Sequence, residues 1–305
     1  IYQKGFLLGL QKDYKGKISA MDRLISEYPE SQYVDDALFE KGRSYVLLEN
    51  SSSAAQAFEK LIREFPLSSL ARKAGIQLGL LYYNDNQPEK ALAAYKQVIS
   101  NYPGSEEAKI ALQDLKSVYI DLNDINAYAS YVNSIGGNIR LEVGEQDSLT
   151  YIAAEKLFMR GDNDGARRSL INYLQTFPEG AFSSNANFYL GSIAFAKKEF
   201  DEAIQRFKSV IASGDTKFLE ESVARTAEIE YLSKDYPAAL ESFKRLQIVA
   251  ENPENRQAAR LGIMRCALQT GQQKDALLAA DELLKEPKLS PELEAEARYV
   301  RAKAY

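Results

Sequence analysis

Paired carboxylates recur along the chain: Asp35-Asp36, Glu106-Glu107, Glu220-Glu221 and Asp281-Glu282. Such pairs are the side chains that general acid–base work or a hard cation would need. Each pair falls at the start or on the polar face of an expected helix, where acidic groups complement the helix dipole. The stretch "GDNDG" at 161–165 offers oxygens in the manner of a calcium loop. An EF-hand needs a Glu at its twelfth position, and counting from Asp162 that place holds Tyr173. It reads instead as a connection between two helices. Cys266 is the single cysteine, set in the apolar stretch "IMRCALQ", which makes it a core thiol and leaves no intrachain disulfide. Histidine is absent, which removes the commonest general base and metal ligand together. No Gly-rich phosphate loop occurs. The expectation is therefore no enzyme, no metal and no cofactor.

Other function classes are closed by charge and hydropathy. A net charge of −5, with basic residues never clustered beyond a pair, argues against nucleic acid. No apolar run approaches the roughly 20 residues that span a bilayer. The absence of an initiating Met, and an end inside the helical pattern "EARYVRAKAY", read as a piece of a longer protein.

What the chain does carry is a beat. Pro29, Pro66 and Pro103 stand 37 residues apart, each after an aromatic residue and two before a serine. Twelve residues before a proline comes an alanine, as Ala54, Ala91 and Ala166, with a large apolar residue four later: Phe58, Tyr95 and Leu170. Ala203 with Phe207, Ala239 with Phe243 and Ala276 with Ala280 continue the series. Lys17 with Met21, and Ala127 with Tyr131, fill the remaining units. A period of this length means stacked units that bury their apolar faces on one another. Each unit reads as helix, turn, helix. "NSSS" at 50–53 supplies serine N-caps, Pro66 stops a helix, and Ser68 or Ser69 caps the next. Gly42, Gly79 and Gly191 allow two helices to cross closely.

These residues resemble the tetratricopeptide repeat (TPR). "AGIQLGLLYYNDNQPEKALAAYKQVISNYP" places Leu78, Gly79, Tyr82, Ala91, Tyr95 and Pro103 as that motif does, and "NFYLGSIAFAKKEFDEAIQRFKSVI" does so with Leu190, Gly191, Ala203 and Phe207. The usual tryptophan is missing. The resemblance implies an all-α, right-handed TPR superhelical solenoid of about eight helix-turn-helix units, with sixteen or seventeen helices. The long period and "FP-x-S" junctions further resemble bacterial cell-envelope TPR proteins: Tol–Pal-associated proteins, outer-membrane assembly lipoproteins and large Bacteroidetes proteins. That implies a periplasmic or outer-membrane-associated location.

The resemblance also implies a concave groove lined by the first helix of each unit. With the small residue as position eight, position twelve reads Val46, Tyr83, Tyr119, Phe158, Phe195, Tyr231 and Leu268. Position five reads Phe39, Ile76, Leu112, Tyr151, Phe188, Ala224 and Leu261. The expected partner-binding residues are Phe39, Arg43, Tyr83, Lys116, Tyr119, Tyr151, Phe158, Phe188, Phe195 and Tyr231. Packing of these side chains against the next first helix is the competing expectation. Basic residues at position nine (Arg43, Lys116, Arg265) are interrupted by Leu80, Glu155, Ser192 and Glu228, so no regular clamp for a C-terminal carboxylate forms. The occupant is expected to be a protein or peptide segment, the chain's own flank included; aromatic platforms stacking on an envelope glycan are the alternative. The beat breaks once, after Gly136-Gly137. The expected organisation is an N-terminal array at 1–135, a loop or hinge at 136–147, and a C-terminal array at 148–305. Asp147 or Ser148 would cap the first helix of the second array, and Ile139–Val143 would be a short extended segment.

Overall fold

The computed structural model describes residues 1–136, 140–214, 217–287 and 289–303. Among the described residues the regular structure is seventeen α-helices and no strand. The chain divides into two compact units, Ile1–Ile139 and Arg140–Tyr305. The first holds α1 (Tyr2–Leu10), α2 (Tyr14–Glu27), α3 (Val34–Leu47), α4 (Ser51–Glu64), α5 (Ser69–Asn84), α6 (Pro88–Asn101), α7 (Glu106–Asp121) and α8 (Ile125–Ile135). The second holds α9 (Val143–Met159), α10 (Asn163–Thr176), α11 (Ser183–Ala196), α12 (Phe200–Ser213), α13 (Leu219–Leu232), α14 (Tyr236–Val249), α15 (Pro253–Gln269), α16 (Gln273–Leu283) and α17 (Pro291–Lys303). Odd-numbered helices are the first of each pair. Within a unit every helix packs on its chain neighbours, and first helices also touch, as α3 on α5, α5 on α7 and α13 on α15. Each unit is thus an all-α TPR solenoid.

Local chemistry explains the beat. Asp13, Asn50, Asp124, Asp162 and Asp235 cap the second helices by accepting an amide three residues on. In "NSSS" the cap is therefore Asn50, and Ser51–Ser53 form the first turn. In "GDNDG" Asp162 does the same, accepting from Gly165 at 2.9 Å, while Asp164 pairs with Lys197 at 2.6 Å. Ser68 caps a first helix as expected, accepting from Leu70 at 3.1 Å, and Ser105 does the same one repeat on, accepting from Ala108 at 3.1 Å. The turn between the two helices of a pair needs one left-handed residue, held by Lys12, Glu49, Asn86, Asn123, Lys198 and Lys234, or by Gly161 and Gly271.

That left-handed residue fixes the register of every unit, and it corrects one. The amide of Asn86 bonds the carbonyl of Tyr83, that of Lys198 bonds Phe195, and that of Asn123 bonds Ile120. Position twelve of α7 is therefore Ile120. Tyr119 corresponds to Tyr82 and Ala194, on the buried side. Tyr128 rather than Ala127 takes the small-residue place in α8, and Val132 takes that of Tyr131. Tyr128 and Val132 are accordingly buried. In the first pair Lys17 stands where others have Ala, and its ammonium pairs with Glu40 while Gly9 makes room for its stem.

The junction between the arrays also differs from expectation. Gly136 does end α8, with φ +76°. The expected extended segment falls partly outside the described residues, at Ile139. Arg140–Glu142 have no regular structure, and Val143 opens α9. Residues 143–147 are thus helical, five residues earlier than the sequence pattern placed the helix. Asp147 is buried inside α9 and is not its cap. Its carboxylate accepts the Tyr173 hydroxyl at 2.5 Å and the Ala181 amide at 2.8 Å, which ties α9 to the turn between α10 and α11.

The same tie recurs one helix pair apart at other first-helix starts. Asp35 accepts from Ser68, and Glu220 accepts from the amides of Glu251 and Asn252. Two of the carboxylate pairs thus serve the stacking of the repeats.

Buried phenols give the fold a pH signature. Burial, followed by its bond to Glu59, pushes Tyr82 up to about 12. Burial first, with Asp114, Glu155 or Asp147 next, also raises Tyr95, Tyr151 and Tyr173. A phenol whose folded value is raised stabilises fully below its unfolded value near 10, and that stability is lost as pH climbs through the folded value. With no histidine, the melting temperature should stay nearly constant from about pH 6 to 9 and fall steeply above about pH 10. Calorimetry across that range checks it; a midpoint already falling between pH 7 and 9 would contradict it.

Candidate functional site

Among the described residues, each unit has a recess between the faces of neighbouring first helices. In the first unit Phe39 and Arg43 of α3, Lys73, Ile76 and Gln77 of α5, and Glu107 and Ile110 of α7 enclose 460 Å³. Phe39 is half-buried with its ring 5.9 Å from Phe58, so it walls the recess while resting on the core. Ile110 is 48% exposed, and Leu80, at position nine of α5, is 43% exposed. Both are large aliphatic side chains on first helices that no neighbouring helix covers.

In the second unit α13 and α15 form the rims, and Phe243 and Leu246 of α14 form the floor, of a 290 Å³ recess. Arg225 stands at its edge, held by Glu221 at 2.8 Å and Glu228 at 3.0 Å, with its guanidinium 4.8 Å from the Phe195 ring centre. Arg265 makes a two-pronged bond to Glu296 of α17, both prongs 2.7 Å. That bond holds the Glu296 carboxyl below its ordinary range.

Three of the ten residues expected from the sequence line these recesses: Phe39, Arg43 and Tyr231. Tyr83 is half-buried and donates its hydroxyl to Asp121 in the next first helix. Lys116 is half-buried at the helix-crossing position of α7. Tyr119, 4% exposed, is a core side chain because of the register correction above. Tyr151 holds position five but is 2% exposed: it stacks on Phe182 at 4.5 Å and donates to Glu155 at 2.6 Å. Phe158 leans on Tyr189 at 4.6 Å, Phe188 stacks on Phe218 at 4.2 Å, and Phe195 lies under Arg225. These three are half-buried. Much of the aromatic stripe therefore packs one first helix on its neighbours.

The sequence reading did not name Lys73, Ile110 or Arg225; in the register set by the turn residues Lys73 and Ile110 both stand at position two and Arg225 at position six. Nothing in their residue types marked them out beforehand. Among the described residues no three His, Cys, Asp or Glu side chains converge on a metal-sized site, and no helix is long and apolar enough to cross a membrane.

Tetratricopeptide repeat models match residues 1–31 and 153–216. The outer membrane lipoprotein family YfiO matches residues 35–113, which contain the whole first recess. Among solved structures, the yeast Sti1 TPR2AB domain in its pHSP90 complex is 14% identical over 87% of this chain and 96% of that one, with a TM-score of 0.39. A tetratricopeptide repeat protein from Parabacteroides merdae is 16% identical over 88% and 98%, with a TM-score of 0.33. The C-terminal part of a TPR repeat-containing protein from Cytophaga hutchinsonii is 12% identical over 84% and 98%, with a TM-score of 0.38. No curated protein matches the chain.

Proposed function

We propose that this chain, which is built of tetratricopeptide repeats, is a non-enzymatic scaffold holding an extended or helical segment of a partner protein. The segment lies against the open face of the first helices. The observation that carries this is the aliphatic surface left uncovered there, Leu80 and Ile110 among it, beside a recess rimmed by charge. Interfaces draw their affinity from such apolar anchors inside a polar rim. The outer membrane lipoprotein match over 35–113 supports a place in a bacterial cell-envelope assembly, in the periplasm or at the outer membrane.

A Leu80→Asp, Ile110→Asp variant of the full-length protein tests the reading. Both sites are open, so the melting temperature should hardly move. Proteins that co-purify with the parent should be lost, while the second-helix variant Arg63→Asp, Gln97→Asp keeps them. Equal retention by both variants would reject the docking face.

The two compact units belong to the same reading, as two arrays able to hold different parts of a partner. Cleavage between them severs no packing inside either unit, and Arg140 is exposed and outside any helix. Brief trypsin treatment should cut first after Arg140 and leave two folded fragments. First cuts within α5–α6 or α11–α12 would contradict the division.

A further inference from the structure

We propose that the recess between α3, α5 and α7 selects an acidic segment of the partner: an apolar side chain seated among Phe39, Ile76 and Ile110, with a neighbouring carboxylate against Lys73 and Arg43. This rests on the docking reading above and gives its first array a ligand chemistry.

The recess has a surplus of positive charge that the fold does not use. Lys73 is exposed and makes no ion pair among the described residues. Arg43 reaches only Glu40, at 3.4 Å, and that carboxylate is already taken by the buried ammonium of Lys17. The one acid on the lining, Glu107, lies in the first turn of α7, where the helix's own positive end offsets it. The floor, by contrast, is carbon. A lysine-rich segment would meet two cations there, and a purely apolar one would desolvate Lys73 and Arg43 without replacing their water. An apolar residue flanked by Glu or Asp satisfies both floor and rim. The recess volume of 460 Å³ suits a side chain rather than a domain surface.

The probes are acetylated, amidated 12-residue peptides with a Leu-Phe centre flanked by four Glu or by four Lys; capping removes any terminal carboxylate. Fluorescence anisotropy against the full-length protein should show the Glu peptide binding at least about tenfold more tightly. Lys73→Glu should reverse that order, and Ile110→Asp should weaken both peptides. Circular dichroism confirms that the variants fold, since both sites are open. Equal binding of the two peptides, or a Glu preference that survives Lys73→Glu, would overturn the assignment. Those results would leave the docking face standing if Leu80→Asp, Ile110→Asp still loses its partners, so the two claims fail separately.

Discussion

Replacing Gly79 with leucine should cost the first unit more than about 3 kcal/mol, at or beyond the upper end of ordinary overpacking. A Cβ at Gly79 would lie 2.6 Å from Cζ and 2.7 Å from Cδ1 of Tyr95. Tyr95 is 1% exposed, so its ring has nowhere to retreat. Leucine adds three more carbons to the same crossing of α5 and α6. The arrangement repeats, with Gly42 against Phe58 and Gly191 against Phe207, where the closest ring atoms are 2.5 Å and 2.8 Å away. Gly191→Leu should therefore also destabilise, somewhat less. Gly144→Ala is the control: it lies in the first turn of α9 with nothing near its missing Cβ, and it should gain about 0.5 kcal/mol from helix propensity. Denaturant titration of the three variants decides the matter. Gly79→Leu within about 0.5 kcal/mol of the parent would show that the helix crossing is not where the structure has it.

Asp147→Ala carries the second large effect, about 3 kcal/mol on the second unit. Hydrogen bonds to a charged group contribute roughly 1.5–3 kcal/mol each, and orphaned buried donors add their desolvation. The substitution strands the Tyr173 hydroxyl, on a residue 0% exposed, and the Ala181 amide. The Tyr173 oxygen also accepts the Phe182 amide at 3.0 Å, so the whole turn between α10 and α11 loses its anchor. Asp147→Asn keeps one acceptor oxygen and should cost about 1 kcal/mol, and Tyr173→Phe should fall between the two. Silence of Asp147→Ala in the same titration would mean that α9 is held by apolar packing alone.

Neither residue was equally visible beforehand, and the reason is physical. Glycine at a helix crossing repeats with the beat, so Gly42, Gly79 and Gly191 were readable as close approaches. Pro66 and Ser68 were readable because a stop and a cap have fixed chemistry. The register of α7 and α8 was not: Tyr128 fills a place that is small elsewhere, and alignment on Ala127 moved Tyr119 from the core onto the open face. The local bond from Asn123 to Ile120 sets that register, and Asn is a left-handed turn residue in its own right. The start of α9 was hidden because Glu142 caps without a side-chain bond and "VG" is a weak opening for a helix. Asp147 looked like a cap because a buried carboxylate and a capping one are the same letter. First helices that are apolar on several sides cannot reveal which aromatic is walled in by its neighbour, so Tyr151 and Phe39 were alike in sequence and differ in exposure.

The central claim is that the first-helix face, and not the second, meets a protein. A photo-crosslinking amino acid placed singly at Leu80, Ile110, Arg63 and Gln97 of the full-length protein in its native cell tests it most directly. Leu80 and Ile110 lie on first helices, whereas Arg63 and Gln97 are exposed on α4 and α6. The account predicts discrete protein adducts from Leu80 and Ile110, shared between the two sites, and none from Arg63 or Gln97. Adducts to glycan at the first-helix sites, or protein adducts arising equally from all four, would contradict it.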